Sequence, residues 1–285
     1  WLKPSGLKQQ RLVRCFVSVW PSVVRPAGPD TPNSNMADAE DEMPACDPAL
    51  REKMRKVHWV PLESNPEVLN KFAYQVGMPE SWEFVDVYGL DPDLLAMVPP
   101  SCVAVTLLFD SSSANIRKFK AEQRASLEAS GQKIAPELRY MRQYVGNACG
   151  TIATIHSLAN NAEALGLPPA SPLGKFLAET QGRSADEFGA MLVDATELHT
   201  ASESSAQGGQ TAAPEATADI HNHFIAFVEK GGDIYELDGA KAFPINHGPV
   251  AGSLLETAAR VIKANFMEKD PDSLQWNMMA LVKGE

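Results

Sequence analysis

The chain has 285 residues, 25 Lys plus Arg against 36 Asp plus Glu, and a formal charge of −11 at pH 7. Its 44% hydrophobic content supports a sizeable core, in one large domain or two small ones. The acidic balance argues against nucleic acid or an anionic membrane as the main partner, and no apolar run approaches the ~20 residues of a membrane helix.

Charge is unevenly spread. Residues 1–35 carry Lys3, Lys8, Arg11, Arg14 and Arg25 against Asp30 alone, a net of +4 that leaves −15 on the rest. Two readings of this leader stand side by side: an Arg-bearing, acid-poor organelle transit peptide, or upstream sequence ahead of a translation start at Met36. Residues 1–57 are rich in Pro and have no sustained period, so they are expected to form a disordered or loosely attached extension. The folded domain is expected over residues 58–285. Cys15, Cys46, Cys102 and Cys149 contain no CxxC pair, which points to a reducing compartment.

Along that domain the patterning is regular. Ser64-Asn65-Pro66-Glu67 reads as a capping box with Pro in the first turn. Leu69, Phe72 and Val76 then form a helical stripe closed by Gly77. Phe84–Tyr88 alternates like a short strand, and Asp91-Pro92 opens a short helix. Cys102–Phe109 suits a buried strand, and 114–130 is helical and charged. Cys149 precedes Ile152, Ile155 and Ala159, an apolar stripe that places it at a helix N-terminus with Asn147 as the cap. Ser184 and Glu187 cap a further helix. Thr200–Asp219 has almost no large apolar residues and reads as a long, lid-like loop. Strands flank Gly231-Gly232, residues 252–267 form an amphipathic helix burying Leu255, Ala258, Ile262 and Phe266, and Trp276–Lys283 is a final strand. Helices and strands mix without strict βαβ alternation, so the expected class is α+β with a central sheet covered by helices.

Chemistry concentrates at Cys149. The unpaired N–H groups and positive dipole end of a helix favour a thiolate and can cradle an oxyanion. The alternative is an inert buried thiol, as expected for Cys102 in its strand. A nucleophilic Cys needs a His, and that His an orienting carboxylate. His223 and Asp238 lie on either side of the Gly-Gly turn, with a midpoint of 230.5, so antiparallel pairing sets them nearly opposite one another. A structural His–Asp pair at a sheet edge is the competing reading. His221 is the rival base, but it has no carboxylate across the hairpin. His156 reads as a packed or surface helix residue, and His58, His199 and His247 as isolated. No metal-ligand spacing or phosphate-binding glycine motif occurs, so no metal or cofactor is expected.

Five segments then resemble the ubiquitin carboxyl-terminal hydrolase family: Trp59–Val68, Gln143–Ile152, Gly209–Pro214, His223–Phe227 and Tyr235–Gly239. They fall in the family's order across residues 58–285. The resemblance implies a papain-like cysteine protease fold with a central antiparallel sheet, flanking helices and a knotted backbone. It further implies Cys149 as nucleophile, His223 as general base and acid, Asp238 as its orienter, and Gln143 as a side chain that helps the Cys149 N–H hold the oxyanion. Residues 206–213 correspond to the family's active-site crossover loop, which restricts leaving groups to small adducts or short, disordered peptides. Pro61, Leu62, Glu63, Ser64, Asn65, Pro66, Gln210, Leu274 and Trp276 correspond to ubiquitin-contacting positions. The implied partner is ubiquitin, with Nedd8 as a further candidate substrate. The implied protein is a monomer of the cytoplasm, with the nucleus as a second location. A ubiquitin-binding or ubiquitin-stabilising protein with little turnover is the alternative. The chain departs from the family pattern at Gln207-Gly208, at His221 and in its N-terminal extension.

Overall fold

A computed structural model describes residues 56–284, so the expectations for the leader, Cys15 and Cys46 lie outside the described residues. In chain order the elements are α1 (Pro66–Val76), β1 (Trp82–Asp86), α2 (Pro92–Leu95), β2 (Ala104–Asp110), α3 (Ala114–Ser130), α4 (Cys149–Asn160), α5 (Ala162–Leu165), α6 (Pro172–Glu179), α7 (Ala185–Met191), α8 (Thr196–Ala206), β3 (Asn222–Lys230), β4 (Asp233–Leu237), β5 (Ile245–Pro249), α9 (Leu254–Ile262) and β6 (Trp276–Lys283). The class is α+β, as expected. Six strands form one sheet in the order β1-β6-β2-β3-β4-β5, and every neighbouring pair is antiparallel.

Alternation along the strands divides the core into two layers. Phe224, Ala226 and Val228 of β3 face α4, while Ile225 and Phe227 face α9 and the π-helical turn Lys263–Met267 that continues it. Helix α4 lies in the middle of the molecule with all twelve residues buried. Its hydroxyls avoid a desolvation penalty by bonding within the helix, Thr154 Oγ1 to the Gly150 carbonyl at 2.9 Å and Ser157 Oγ to that of Ala153 at 2.9 Å. Thr151 Oγ1 meets Ser202 Oγ of α8 at 2.8 Å. A helix this enclosed makes a rigid base for whatever sits at its end.

Several local expectations are corrected. The cap of α1 is Asn65, one residue later than the predicted box: its side chain accepts from the Glu67 N–H, while Ser64 Oγ donates to Asn277 Oδ1 at 2.7 Å. The Ser184–Glu187 capping box forms as predicted. The first third of the predicted long loop is helical, since α8 runs to Ala206 and buries Ala201, Ser202, Ser205 and Ala206 against the core. Apart from Leu198, small side chains make that packing, and the periodicity is correspondingly faint. Helices α5 and α6 and strand β5 had no predicted counterpart. Just ahead of His58, the Val57 carbonyl accepts from the Gly146 N–H at 2.9 Å and Val57 packs against the core.

Candidate active site

Four segments distant in sequence converge on Cys149. It is the first residue of α4, so the N–H groups around it have no acceptor within the helix. The cap is Ala148, without a side-chain bond, which corrects the expectation for Asn147. Asn147 takes a left-handed conformation, φ 57°, the single positive φ at a non-glycine position among the described residues. That turn aims its amide away from the helix, and Nδ2 donates to the carbonyls of Ala216 and Ala218, each at 2.8 Å. Asn147 thus ties the loop that leads into β3 to the residue pair beside the thiol.

The hairpin delivers His223 and Asp238. Gly231 and Gly232 both have positive φ (60° and 86°), the conformation of a two-residue hairpin turn matched to strand twist. The ladder pairs Lys230 with Asp233 and Ala226 with Leu237. Continued, it would set Asp238 opposite Ile225, two residues from the predicted partner, because the midpoint is 231.5 and not 230.5. Asp238 is therefore the diagonal neighbour of His223 on the same face, still within reach of an imidazole. The contact forms: His223 Nε2 lies 2.6 Å from Asp238 Oδ1, with both side chains buried.

The electrostatics follow from burial and partners. Burial alone would lower the His223 pKa, but the Asp238 carboxylate outweighs it, with Cys149 adding to the effect, and raises the imidazole to about 9. Nε2 is occupied by Asp238, and Nδ1 is buried without a hydrogen bond, so the interaction with Cys149 falls to Nδ1. Burial would also raise Asp238, yet the Lys120 ammonium and His223 hold it well below the usual carboxylate range. Lys120 of α3 meets Oδ2 at 2.7 Å, the Ala240 N–H meets Oδ1 at 3.0 Å, and Tyr140 Oη donates to the Asp238 carbonyl at 2.7 Å. Both carboxylate oxygens are thus fixed, and the carboxylate fixes the ring.

Gln143 is buried beside this pair, its backbone N–H bonded to the Gly239 carbonyl at 2.8 Å. Its side-chain Nε2 donates to the Val145 carbonyl at 3.2 Å, and Oε1 is buried without a partner. The 142–143 segment is positioned from behind by Gly189, where a Cβ would lie 1.9 Å from the Arg142 carbonyl oxygen.

Among the other candidates, His221 is 40% exposed and sits 3.9 Å from Asp219. His156 is fully buried in α4, where its Nε2 accepts from the Met141 N–H at 3.0 Å and burial pushes it down to about 4. His247 is not isolated, as expected, but bonds Glu236 Oε2 at 2.9 Å. Cys102 precedes β2, and burial pushes its thiol up to about 12. Among the described residues no group of three or more His, Cys, Asp or Glu could hold a metal ion, and no helix is long and apolar enough to cross a membrane.

The positions matched to ubiquitin contacts divide by exposure. Leu274 is 85% exposed, Gln210 is exposed, and Pro66 and Trp276 are half-buried. Pro61, Leu62, Glu63, Ser64 and Asn65 are buried. Glu63 Oε2 accepts from the Thr211 N–H at 3.1 Å and from its hydroxyl at 3.0 Å, which pins the 207–214 loop to the α1 entry. Sequence reasoning missed Lys120 and Tyr140. Neither carries a motif, and both are found only by asking what touches Asp238.

Comparison with known proteins bears on the family and the fold. Residues 59–268 match the family model described as ubiquitin carboxyl-terminal hydrolase, family 1. A probable ubiquitin carboxyl-terminal hydrolase of Dictyostelium discoideum is 40% identical over 228 residues, covering 79% of this chain and 88% of that protein. The Drosophila melanogaster ubiquitin carboxyl-terminal hydrolase is 40% identical over 228 residues, with coverages of 80% and 98%. Ubiquitin carboxyl-terminal hydrolase isozyme L1 of Homo sapiens is 37% identical over 226 residues, with coverages of 78% and 97%. In fold, the chain is similar to the Trichinella spiralis UCH37 catalytic domain, solved bound to ubiquitin vinyl methyl ester. That match has a TM-score of 0.61 at 21% identity and covers 83% of this chain and all of the other. With a family model matched over most of its length and relatives of this identity, the chain belongs to the ubiquitin carboxyl-terminal hydrolase family of thiol proteases.

Proposed function

We propose that the protein is a deubiquitinating thiol hydrolase that releases small adducts and short or disordered peptides from the C-terminal Gly of ubiquitin. The observation that carries this reading is the His223–Asp238 bond of 2.6 Å, which commits Nε2 and leaves Nδ1 to Cys149. In the first half-reaction His223 takes the thiol proton and Cys149 Sγ attacks the Gly carbonyl carbon. The oxyanion is received by the Cys149 N–H and the Gln143 amide. Collapse expels the amine, which takes its proton from His223, and leaves a thioester. Water, deprotonated by His223, then attacks the thioester and frees the ubiquitin carboxylate.

The acidic surface suits a basic modifier tail. Leu274, Gln210, Trp276 and Pro66 are the contact positions accessible as the chain stands, whereas Pro61–Asn65 act from beneath them. The loop pinned at Thr211 supports a preference for thin leaving groups. We place the protein in the cytoplasm and nucleus as a monomer, with Nedd8 as a second substrate to be assayed beside ubiquitin.

A ubiquitin-holding protein with little turnover is the second reading. It is favoured by the commitment of Gln143 Nε2 to the Val145 carbonyl. Hydrolysis of a ubiquitin C-terminal fluorogenic amide separates the two. Turnover abolished by Cys149→Ala, with ubiquitin binding retained, supports the hydrolase. Tight ubiquitin binding without turnover in the unmodified protein supports the holder, and turnover that survives Cys149→Ala defeats the mechanism.

A further inference from the structure

Behind Asp238, on the side away from Cys149, the charge of the molecule reverses. Arg117, Lys120 and Arg124 recur on α3 at i, i+3 and i+7, so they share one face of that helix. With Lys241 they line a cavity of about 460 Å³, in a chain whose formal charge is −11. Glu128 is the one acidic side chain in its wall, and alanines at 121, 125 and 242 leave the space open. Arg117 makes no ion pair among the described residues. Arg124 Nε donates to Glu128 Oε1 at 2.8 Å within the same wall, and two of the four cations are anchored at the back. Lys120 Nζ lies 2.7 Å from Asp238 Oδ2, and Lys241 Nζ lies 2.5 Å from Glu236 Oε1 and 2.8 Å from Gln123 Oε1.

We propose that this cavity binds a compact phosphate-bearing anion from solution and that occupancy is transmitted to the His223–Asp238 pair through Lys120. Clustered guanidinium and ammonium donors match phosphate oxygens in geometry and charge. A concave wall of one sign concentrates counter-ions that the acidic remainder repels. Lys120 connects the two sites because its ammonium belongs to the cavity wall and to the Asp238 ion pair at once. A phosphate beside that ammonium competes for it and offsets its field at Asp238. More of the carboxylate's charge is then expressed at His223, which favours the imidazolium. The ionisable groups facing the pair are Cys149 and His156 from α4, Lys120 from α3, Glu236 from β4, Lys241 from the following loop, and Tyr140 from the segment ahead of α4. Of these, Lys120 and Lys241 line the cavity. The inference concerns the protonation of His223 and stands whether or not the chain turns over ubiquitin adducts.

The test uses the full chain and inorganic pyrophosphate as probe, with binding followed by calorimetry at low and physiological salt. Histidine-selective NMR follows the His223 titration with and without saturating probe. The expected result is one-to-one binding, weakened about tenfold by Arg117→Gln combined with Arg124→Gln and weakened by salt. Saturation should move the His223 midpoint upward by about half a unit. Lys120→Gln alone should raise the midpoint and abolish the response to probe. Absence of saturable binding up to about 10 mM, affinity indifferent to the double substitution, or saturation without movement of His223 would each overturn the proposal. So would capture of the chain by phosphatidylglycerol vesicles with pyrophosphate inert, which would assign the cations to a membrane surface.

Discussion

Asn147 offers the sharpest test of how the site is held, because its backbone and side-chain contributions can be separated. Its left-handed φ of 57° costs a residue with a Cβ roughly 1–2 kcal/mol, a penalty that Asn bears better than Ala. Its two bonds to the Ala216 and Ala218 carbonyls are each worth about 1 kcal/mol net. Asn147→Ala loses both contributions and should destabilise the protein by about 3 kcal/mol. Asn147→Gly is unstrained and loses the bonds alone, so about 2 kcal/mol is expected. In a chain of this size these losses correspond to roughly 4–12 °C in Tm. Asn147→Asp keeps the shape but turns a donor into an acceptor facing two carbonyl oxygens, and should be the worst of the three. Urea denaturation gives the energies, and limited proteolysis of residues 207–221 reports whether the loop has come loose. Equal stability of all three variants with the unmodified protein, together with unchanged proteolysis, would refute the tether.

The His223–Asp238 pair should impose a defined pH dependence on stability. The His223 pKa is raised from 6.5 to about 9, so its contribution is fully present below pH 6.5 and is lost as pH rises toward 9. Asp238 is depressed, so its contribution is present above the ordinary carboxylate range and lost as pH falls below it. Denaturation of His223→Gln beside the unmodified protein should therefore show a gap at pH 6 that narrows by on the order of 3 kcal/mol by pH 9.5, and a constant gap would contradict the assignment. Gly189→Ala introduces a Cβ 1.9 Å from the Arg142 carbonyl oxygen, so the 142–143 segment must shift. A fall in kcat of about tenfold or more on the fluorogenic amide is expected, with KM little changed. Unaltered kcat would show that Gln143 does not depend on that contact.

The site was legible in sequence to the extent that short-range rules wrote it. Cys149 at a helix N-terminus, the hairpin around Gly231-Gly232, the helix over 114–130 and the final strand Trp276–Lys283 all rest on local period and turn chemistry, and they formed where expected. The hairpin register needed one more fact, the two-residue turn, and without it Asp238 was placed opposite His223 instead of diagonal to it. Asn147 was misread because capping preference describes residues with extended backbone, whereas this one is held in a left-handed turn by partners some seventy positions away. Lys120 on α3 looks like any solvated lysine until the sheet brings Asp238 to it. Helix α8 packs through Leu198 and then only Ala and Ser, which give almost no hydrophobic period to read. Gln143 came from family resemblance alone, since nothing in a glutamine announces an oxyanion ligand.

The position of β6 has a consequence for when the site can exist. This strand follows every other described element in the chain, yet it lies inside the sheet, paired with β1 on one side and β2 on the other. Its Trp276 stacks on Phe109 of β2, and the edge of that ring meets the His223 imidazole. During synthesis β1 and β2 must wait with open edges until residues 276–283 leave the ribosome, and the wall behind His223 is missing until then. A nascent chain therefore carries its nucleophile and base long before it can align them. The sheet topology makes catalytic competence wait for β6, the last strand among the described residues, to enter the sheet between β1 and β2.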